Sequence, residues 1–271
     1  MGYCTEIDGQ IPALHNYGRF RYDRQAFYSS GLVVYYDSSE MRCRELHAGR
    51  FTVVMSGQVM RSLEVDHYTL IKKLVGTFWL KATRIDLAFD DFERKIEPFD
   101  VAQYADNGMY TRFRVHEPFF KKKRTGEYKS AGVAFGSRGK NGGGLYVRCY
   151  DKGIESKGEI NSVRWESEFS KEKAQSVVFE LYKTGSLDEM VSVIASLIGG
   201  SIDFVDRASA HLDRAKRLSW WQEILDILGS ATFETSRRIK TVEKAQTWVE
   251  CSVAPSLKML QVALGREGFS E

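Results

Sequence analysis

Cysteine is scarce in this 271-residue chain. Its four cysteines, Cys4, Cys43, Cys149 and Cys251, are scattered, with no Cys-x-x-Cys spacing. That excludes a disulfide framework and a zinc knuckle. An excess of charge of one sign is lacking too. The 39 Lys and Arg stand against 36 Asp and Glu, a formal net charge of +3. The chain is therefore no polycation, and any affinity for a polyanion has to come from local clusters. No run of about 18 apolar residues is there to cross a membrane. The opening MGYCTEIDGQ is polar and lacks the apolar centre of a secretory signal. The expected place of action is the cytoplasm, with no membrane partner.

What is present suits a soluble globular protein: 43% hydrophobic and 28% charged residues. The length allows one large domain, or a domain with an appendage. The first forty residues show no clear periodicity. Strands are expected at 31–37, 50–57, 83–92, 111–116, 132–138, 144–153 and 162–170. A helix is expected at 64–76, with Val65, Tyr68, Ile71, Leu74 and Val75 on one stripe and Gly76 as its C-cap, and a short one after Pro98. The Gly-rich turn GKNGGG joins two of the strands and argues for antiparallel pairing. After residue 171 the periodicity is helical throughout. The pattern predicts an α+β fold: a largely antiparallel central sheet, helices packed on one face, and a helical C-terminal region. A sheet-rich part at 1–175 and a helical part at 176–271 are the expected divisions.

Three strands have the same construction. In 84–90, Arg84, Asp86, Ala88 and Asp90 face one way and Ile85, Leu87 and Phe89 the other. In GLYVRCYDKG, Tyr146, Arg148, Tyr150 and Lys152 oppose Leu145, Val147 and Cys149. In 163–169, Arg164, Glu166 and Glu168 oppose Val163, Trp165 and Phe169. One such face is an ordinary solvated surface with cross-strand ion pairs. Three of them, one with an aligned Tyr and Lys, point to a site.

The residue types define its chemistry. Carboxylates without a His or Cys cluster favour a hard, oxygen-seeking ion, Mg²⁺ or Mn²⁺, over zinc. A phenol has a pKa near 10 and needs help to act as a nucleophile. Lys152 could stabilise a phenolate or hold a phosphate, and Arg148 could clamp phosphate oxygens. Together these fit transesterification of a phosphodiester. Asp86 and Asp90 are about 13 Å apart on a straight strand, too far for one ion. Asp86 with Glu166 is the expected ligand pair, with Asp90 as second choice or as an arginine's partner. Glu168 is a ligand or a supporting group.

The segments RIDLAFD, FGSRGKNGGGLYVRCYDKGIE, VRWESEF and KRLSWW, in that order, resemble the replication initiators of rolling-circle plasmids and filamentous phages, the Rep_trans type. The likeness covers roughly residues 50–225. It implies that Tyr150, in the matching Tyr-Asp-Lys element, nicks one strand at the double-strand origin. The tyrosine would keep the 5′ end as a phosphotyrosine, leave a 3′-OH primer, and later rejoin the strand. The resemblance also implies a homodimer, a divalent metal, a recruited host or plasmid helicase, and a C-terminal part that reads the origin. Better-known rolling-circle nucleases hold metal with a His-hydrophobic-His motif. His15, His47, His67, His116 and His211 form no such pair, so the histidine mechanism does not transfer.

Other clusters fit contact with double- or single-stranded origin DNA. Lys121, Lys122, Lys123 and Arg124 could follow a phosphate backbone, although such a run is also an ordinary solvated loop. Ser137 and Arg138 could hold the neighbouring phosphate or simply cap the turn. Arg214, Lys216, Arg217 and the patch with Arg237 and Arg238 are further candidates for duplex contact. Trp220 and Trp221 read first as helix core. Two other functions share these residues: a non-catalytic DNA-binding protein on the same scaffold, and a metal nuclease that hydrolyses DNA with Tyr150 only structural.

Overall fold

The structure, a computed structural model, describes residues 11–39, 41, 50–62, 65–77, 80–139, 142–207 and 215–228. Its centre is a five-stranded sheet made of β5 (Arg84–Asp91), β6 (His116–Pro118), β9 (Gly132–Phe135), β10 (Leu145–Asp151) and β11 (Val163–Ser170). The order is β5-β11-β10-β9-β6, and every pairing is antiparallel. The register sets Cys149 opposite Trp165 and Trp165 opposite Phe89, so the apolar side of each strand falls on one side of the sheet.

Helices cover that side. Those that supply buried residues to this side include α3 (Pro98–Asp106), α5 (Glu172–Lys183), α6 (Leu187–Gly199) and α7 (Ser219–Ile227). Val101, Ala105, Trp221 and Ile224 bury against Val133, Phe135, Val147, Cys149 and Trp165. Farther along the sheet, Leu87 and Phe169 bury against Val177, Leu181, Met190 and Ile198. Trp221 is fully buried, and the Trp165 and Trp221 rings lie 4.9 Å apart, so this tryptophan belongs to the core. The α+β architecture, with helices on one face of an antiparallel sheet, is as the sequence pattern predicts.

A smaller sheet, β1-β2-β3-β4, is made of Ala13–His15, Arg24–Phe27, Val33–Tyr36 and Thr52–Val54. Two of its strands fall where the sequence shows no periodicity. Strands of three and four residues are too short to display an alternation. Helix α1 (Gly57–Ser62) follows, then α2 (His67–Thr77). Gly76 is inside α2 and not its C-cap. A Cβ there would sit 3.6 Å from the Tyr182 hydroxyl, so the glycine allows close approach to α5.

The expected strand at 111–116 begins only at His116. Arg112 has φ +74, a left-handed backbone that breaks an extended run. Thr111 N–H instead donates to the Asp203 carbonyl at 2.9 Å. The basic run 121–124 forms part of a hairpin, β7 (Lys121–Lys122) with β8 (Tyr128–Ser130). Among the described residues no helix is long and apolar enough to cross a membrane. The end of the expected helical region, from residue 229 on, and the Arg214, Arg237 and Arg238 positions lie outside the described residues.

Candidate active site on the open face of the sheet

The polar residues of three strands meet on the side that the helices leave open. Residues directly opposite in an antiparallel ladder share a face, and the register forms three rows. Tyr146 faces Glu168, which faces Asp86. Arg148 faces Glu166, which faces Ala88. Tyr150 faces Arg164, which faces Asp90.

Two carboxylates directly opposite, Glu168 and Asp86, would repel each other and destabilise the sheet. Arg84 prevents this. It donates to both Asp86 oxygens, at 2.8 and 2.5 Å, and its Nη2 lies 3.0 Å from Glu168 Oε2. Arg138, across the Gly-rich turn, donates to the same Glu168 oxygen at 3.0 and 2.6 Å and lies 4.2 Å over the Tyr146 ring. Glu168 is only 6% exposed and Glu166 8%. Carboxylates this deep need partners of opposite charge, and the arginines supply them.

The middle and last rows surround Tyr150. Its hydroxyl donates to Glu166 Oε2 at 3.1 Å, and Arg148 donates to Glu166 Oε1. The Arg148 guanidinium is 5.2 Å from the Tyr150 ring centre. Arg164 grips Asp90 with two bonds, 2.8 and 2.5 Å, and Ser162 adds a third at 3.0 Å. Burial pushes the Tyr150 phenol above its usual pKa of 10.0, and the Glu166 charge adds to the rise; Arg164 and Arg148 pull against it. Burial opposes the charge on Asp90, yet its carboxyl is held below the usual value by bonds and charge from Arg164, by Ser162 and by Lys152. Arg148 loses by burial and gains more from Glu166, so its guanidinium stays charged.

Lys152 is not on the strand, contrary to the alternation expected for 144–153. β10 ends at Asp151, whose Oδ1 accepts from Ile154 N–H at 2.9 Å and caps a four-residue helix, α4 (Lys152–Glu155). Aspartate favours that cap position over continued strand. Arg94 Nη2 fixes the other Asp151 oxygen at 2.8 Å. Lys152 is buried, pairs with Glu155, and still acts electrostatically on Asp90.

The register also changes the carboxylate pairing. Asp86 stands opposite Glu168, and Glu166 opposite Ala88, so Asp86 and Glu166 are not direct neighbours. Asp90 is an arginine's partner. Among the described residues no three His, Cys, Asp or Glu side chains are gathered as metal ligands. The oxygen-only donors Asp86 and Glu168 fit a hard divalent ion in type, but Arg84 holds both Asp86 oxygens and shares Glu168 Oε2 with Arg138, so an ion there would replace arginine contacts and take the rest of its shell from phosphate or water oxygens.

Ser137 and Arg138 are exposed at the turn after β9, and Lys121, Lys122, Lys123 and Arg124 are exposed on the β7–β8 hairpin. Lys122 spreads over the Tyr128 ring at 4.7 Å and Lys123 pairs with Glu127 at 3.0 Å. Arg217 pairs with Asp203 at 3.0 Å. Arg84 and Arg164, placed on the polar faces by the sequence pattern but given no role by it, are part of the site, and their Arg-x-Asp and Arg-x-Glu spacing is the signal for them.

The sheet is backed by helices on one side and on the other carries a phenol held between guanidinium and carboxylate groups, an α+β architecture. The chain belongs to the Rep_trans family, described as "Replication initiation factor", which matches residues 80–269, more than half of the sequence. A solved structure, the rolling circle replication initiator protein from Geobacillus stearothermophilus, shares the fold. It aligns with a TM-score of 0.63 and 21% identity over 78% of this chain and 79% of that one. No curated protein sequence matches the chain.

Proposed function

We propose that this initiator is a nicking-closing enzyme that starts rolling-circle replication with Tyr150 as nucleophile. One observation carries the proposal: the Tyr150 hydroxyl points at a carboxylate acceptor, Glu166, and is flanked by Arg148 and Arg164. As the phenol oxygen attacks phosphorus, its proton passes to Glu166. The new bond is phosphorus to tyrosine oxygen, and the bond to the 3′ oxygen breaks. That oxygen leaves as a 3′-OH primer after taking up a proton. The 5′ end stays on the enzyme as a phosphotyrosine, which keeps the phosphodiester bond energy, so the reverse attack reseals the strand.

The raised phenol pKa makes unaided ionisation rare at neutral pH. Arg148 and Arg164 supply positive charge beside the phenolate as it forms and beside the phosphate oxygens. Lys152 and Arg138 extend the cationic rim. Asp86 and Glu168 would hold Mg²⁺ or Mn²⁺, which when bound supplies a Lewis acid for a phosphoryl oxygen. Glu166 stays with the tyrosine.

The wider roles are proposals on the same footing. The part up to about residue 175 is catalytic, and the part from 176 on reads the origin and supports a homodimer. Ser137, the 121–124 hairpin and the Arg237–Arg238 patch contact DNA. The protein works in the cytoplasm with a host or plasmid helicase.

The test is incubation of supercoiled DNA of the encoding replicon with the protein and Mg²⁺. Conversion to open circles, with protein retained after detergent, is expected. Tyr150→Phe should abolish both and leave DNA binding intact. A free 5′-phosphate with no attached protein would mean hydrolysis, and binding without any nick would mean a non-catalytic role.

A further inference from the structure

Next to Tyr150 the sheet has a gap and an aromatic ring fills it. Gly132 is the register partner of Tyr150 on β9. A Cβ built on Gly132 would meet the Phe119 ring at 2.3 and 2.6 Å. Only a glycine lets that ring lie there. Phe119 follows directly on β6, where Pro118 stands opposite Val133, and its N–H donates to the Gly132 carbonyl at 2.8 Å. Alternation therefore sends Pro118 and Phe120 to the helix side and Phe119 to the side of Tyr150. The Phe120 ring fits this, lying 5.7 Å from Phe99 of α3. The last row of the open face is thus Phe119, Gly132, Tyr150, Arg164, Asp90.

Phe119 is half-buried. Two residues after it the chain reaches the exposed Lys121, and the exposed Arg124 is on the same hairpin. The short helix α4, which follows Tyr150 in the chain, packs against β8 of that hairpin. An aromatic face beside a phosphate-attacking group, continuing into exposed cations, is the combination that binds single strands: bases stack while cations follow the backbone.

We propose that Phe119 is the stacking platform for the nucleobase adjoining the linkage attacked by Tyr150, with Lys121 and Arg124 holding the backbone as it leaves the sheet. The position of that linkage rests on the nicking function proposed above; the platform itself is a binding property. Gly132 exists to seat the ring. Because every base has a π-face, the platform orders the strand without selecting sequence.

The test uses the full chain in EDTA and two fluorescein-labelled probes, a dT12 strand and a 12-unit abasic strand with the same phosphates. Phe119→Leu keeps an apolar filler over Gly132 and removes the π-face. It is expected to weaken dT12 binding by about 5- to 100-fold and to leave abasic binding unchanged, while Phe119→Trp retains dT12 affinity. Phe119→Leu binding dT12 like the wild type would overturn the proposal. Equal weakening on both probes would also overturn it, since Phe119 would then be structural only. No metal and no cleavable site are present. A chain that never forms a tyrosine adduct can still pass, and one that nicks DNA can still fail.

Discussion

The Tyr150 hydroxyl donates a 3.1 Å hydrogen bond to Glu166 Oε2 across the diagonal of the β10–β11 ladder. The same carboxylate accepts from Arg148 through its other oxygen. Glu166 thus links the nucleophile to a cation and is the nearest group to take the phenol proton.

Glu166→Gln keeps the side-chain shape and removes the charge. Strand cleavage should fall by about 10² to 10⁴, the usual worth of a positioned general base, while single-strand binding persists. The phenol should respond as well. Burial raises its pKa first and the Glu166 charge second, so the substitution brings the pKa down but leaves it above the ordinary 10.0. Alkaline ultraviolet titration, with Tyr150→Phe as the blank, reads this directly.

Asp90 and Arg164 should set part of the acid limit of stability. The Asp90 carboxyl is lowered in the fold. Its contribution is therefore full above the unfolded value of about 4 and is lost as pH falls through the lower folded value. Asp90→Asn should cost about 1–3 kcal/mol at pH 7, measured by urea unfolding. The gap to wild type should close as the pH approaches about 2.

Asp86 and Glu168 should control divalent-ion affinity. Removal of Mg²⁺ or Mn²⁺ with EDTA should stop nicking and spare DNA binding. Asp86→Asn or Glu168→Gln should weaken Mn²⁺ binding, followed by electron paramagnetic resonance, by at least about 10-fold. Glu166→Gln should weaken it less, because the register sets Glu168 and not Glu166 beside Asp86.

Gly132→Ala should be destabilising despite its small size. The new methyl would meet the Phe119 ring at 2.3 Å and the Cys149 carbonyl oxygen at 2.7 Å. Overpacking of this kind costs about 1–3 kcal/mol, and the urea midpoint should drop accordingly. Gly143, where a Cβ would meet nothing within 4 Å, is the control and should tolerate alanine.

Much of this was legible because the long strands speak clearly. Seven or eight residues of alternation in β5, β10 and β11 assign both faces, so the polar side of each strand, with Tyr150, Glu166 and Asp90 on it, follows from the sequence. Three things did not follow. Alternation holds only while the backbone stays extended, and Asp151 ends it with a side-chain cap, which takes Lys152 out of the strand and into a helix. Register between strands is not written in either strand alone, so the Asp86–Glu168 pairing needed the fold. Phe119 was hidden because it follows a strand of only three residues and its seat is a glycine on another strand.

The most direct measurement is mass-spectrometric mapping of the protein–DNA adduct formed on origin-bearing supercoiled DNA with Mg²⁺. The predicted result is a 5′-phosphonucleotide on the peptide containing Tyr150, absent from Tyr150→Phe. An adduct on another residue, or clean nicking by Tyr150→Phe, would contradict it.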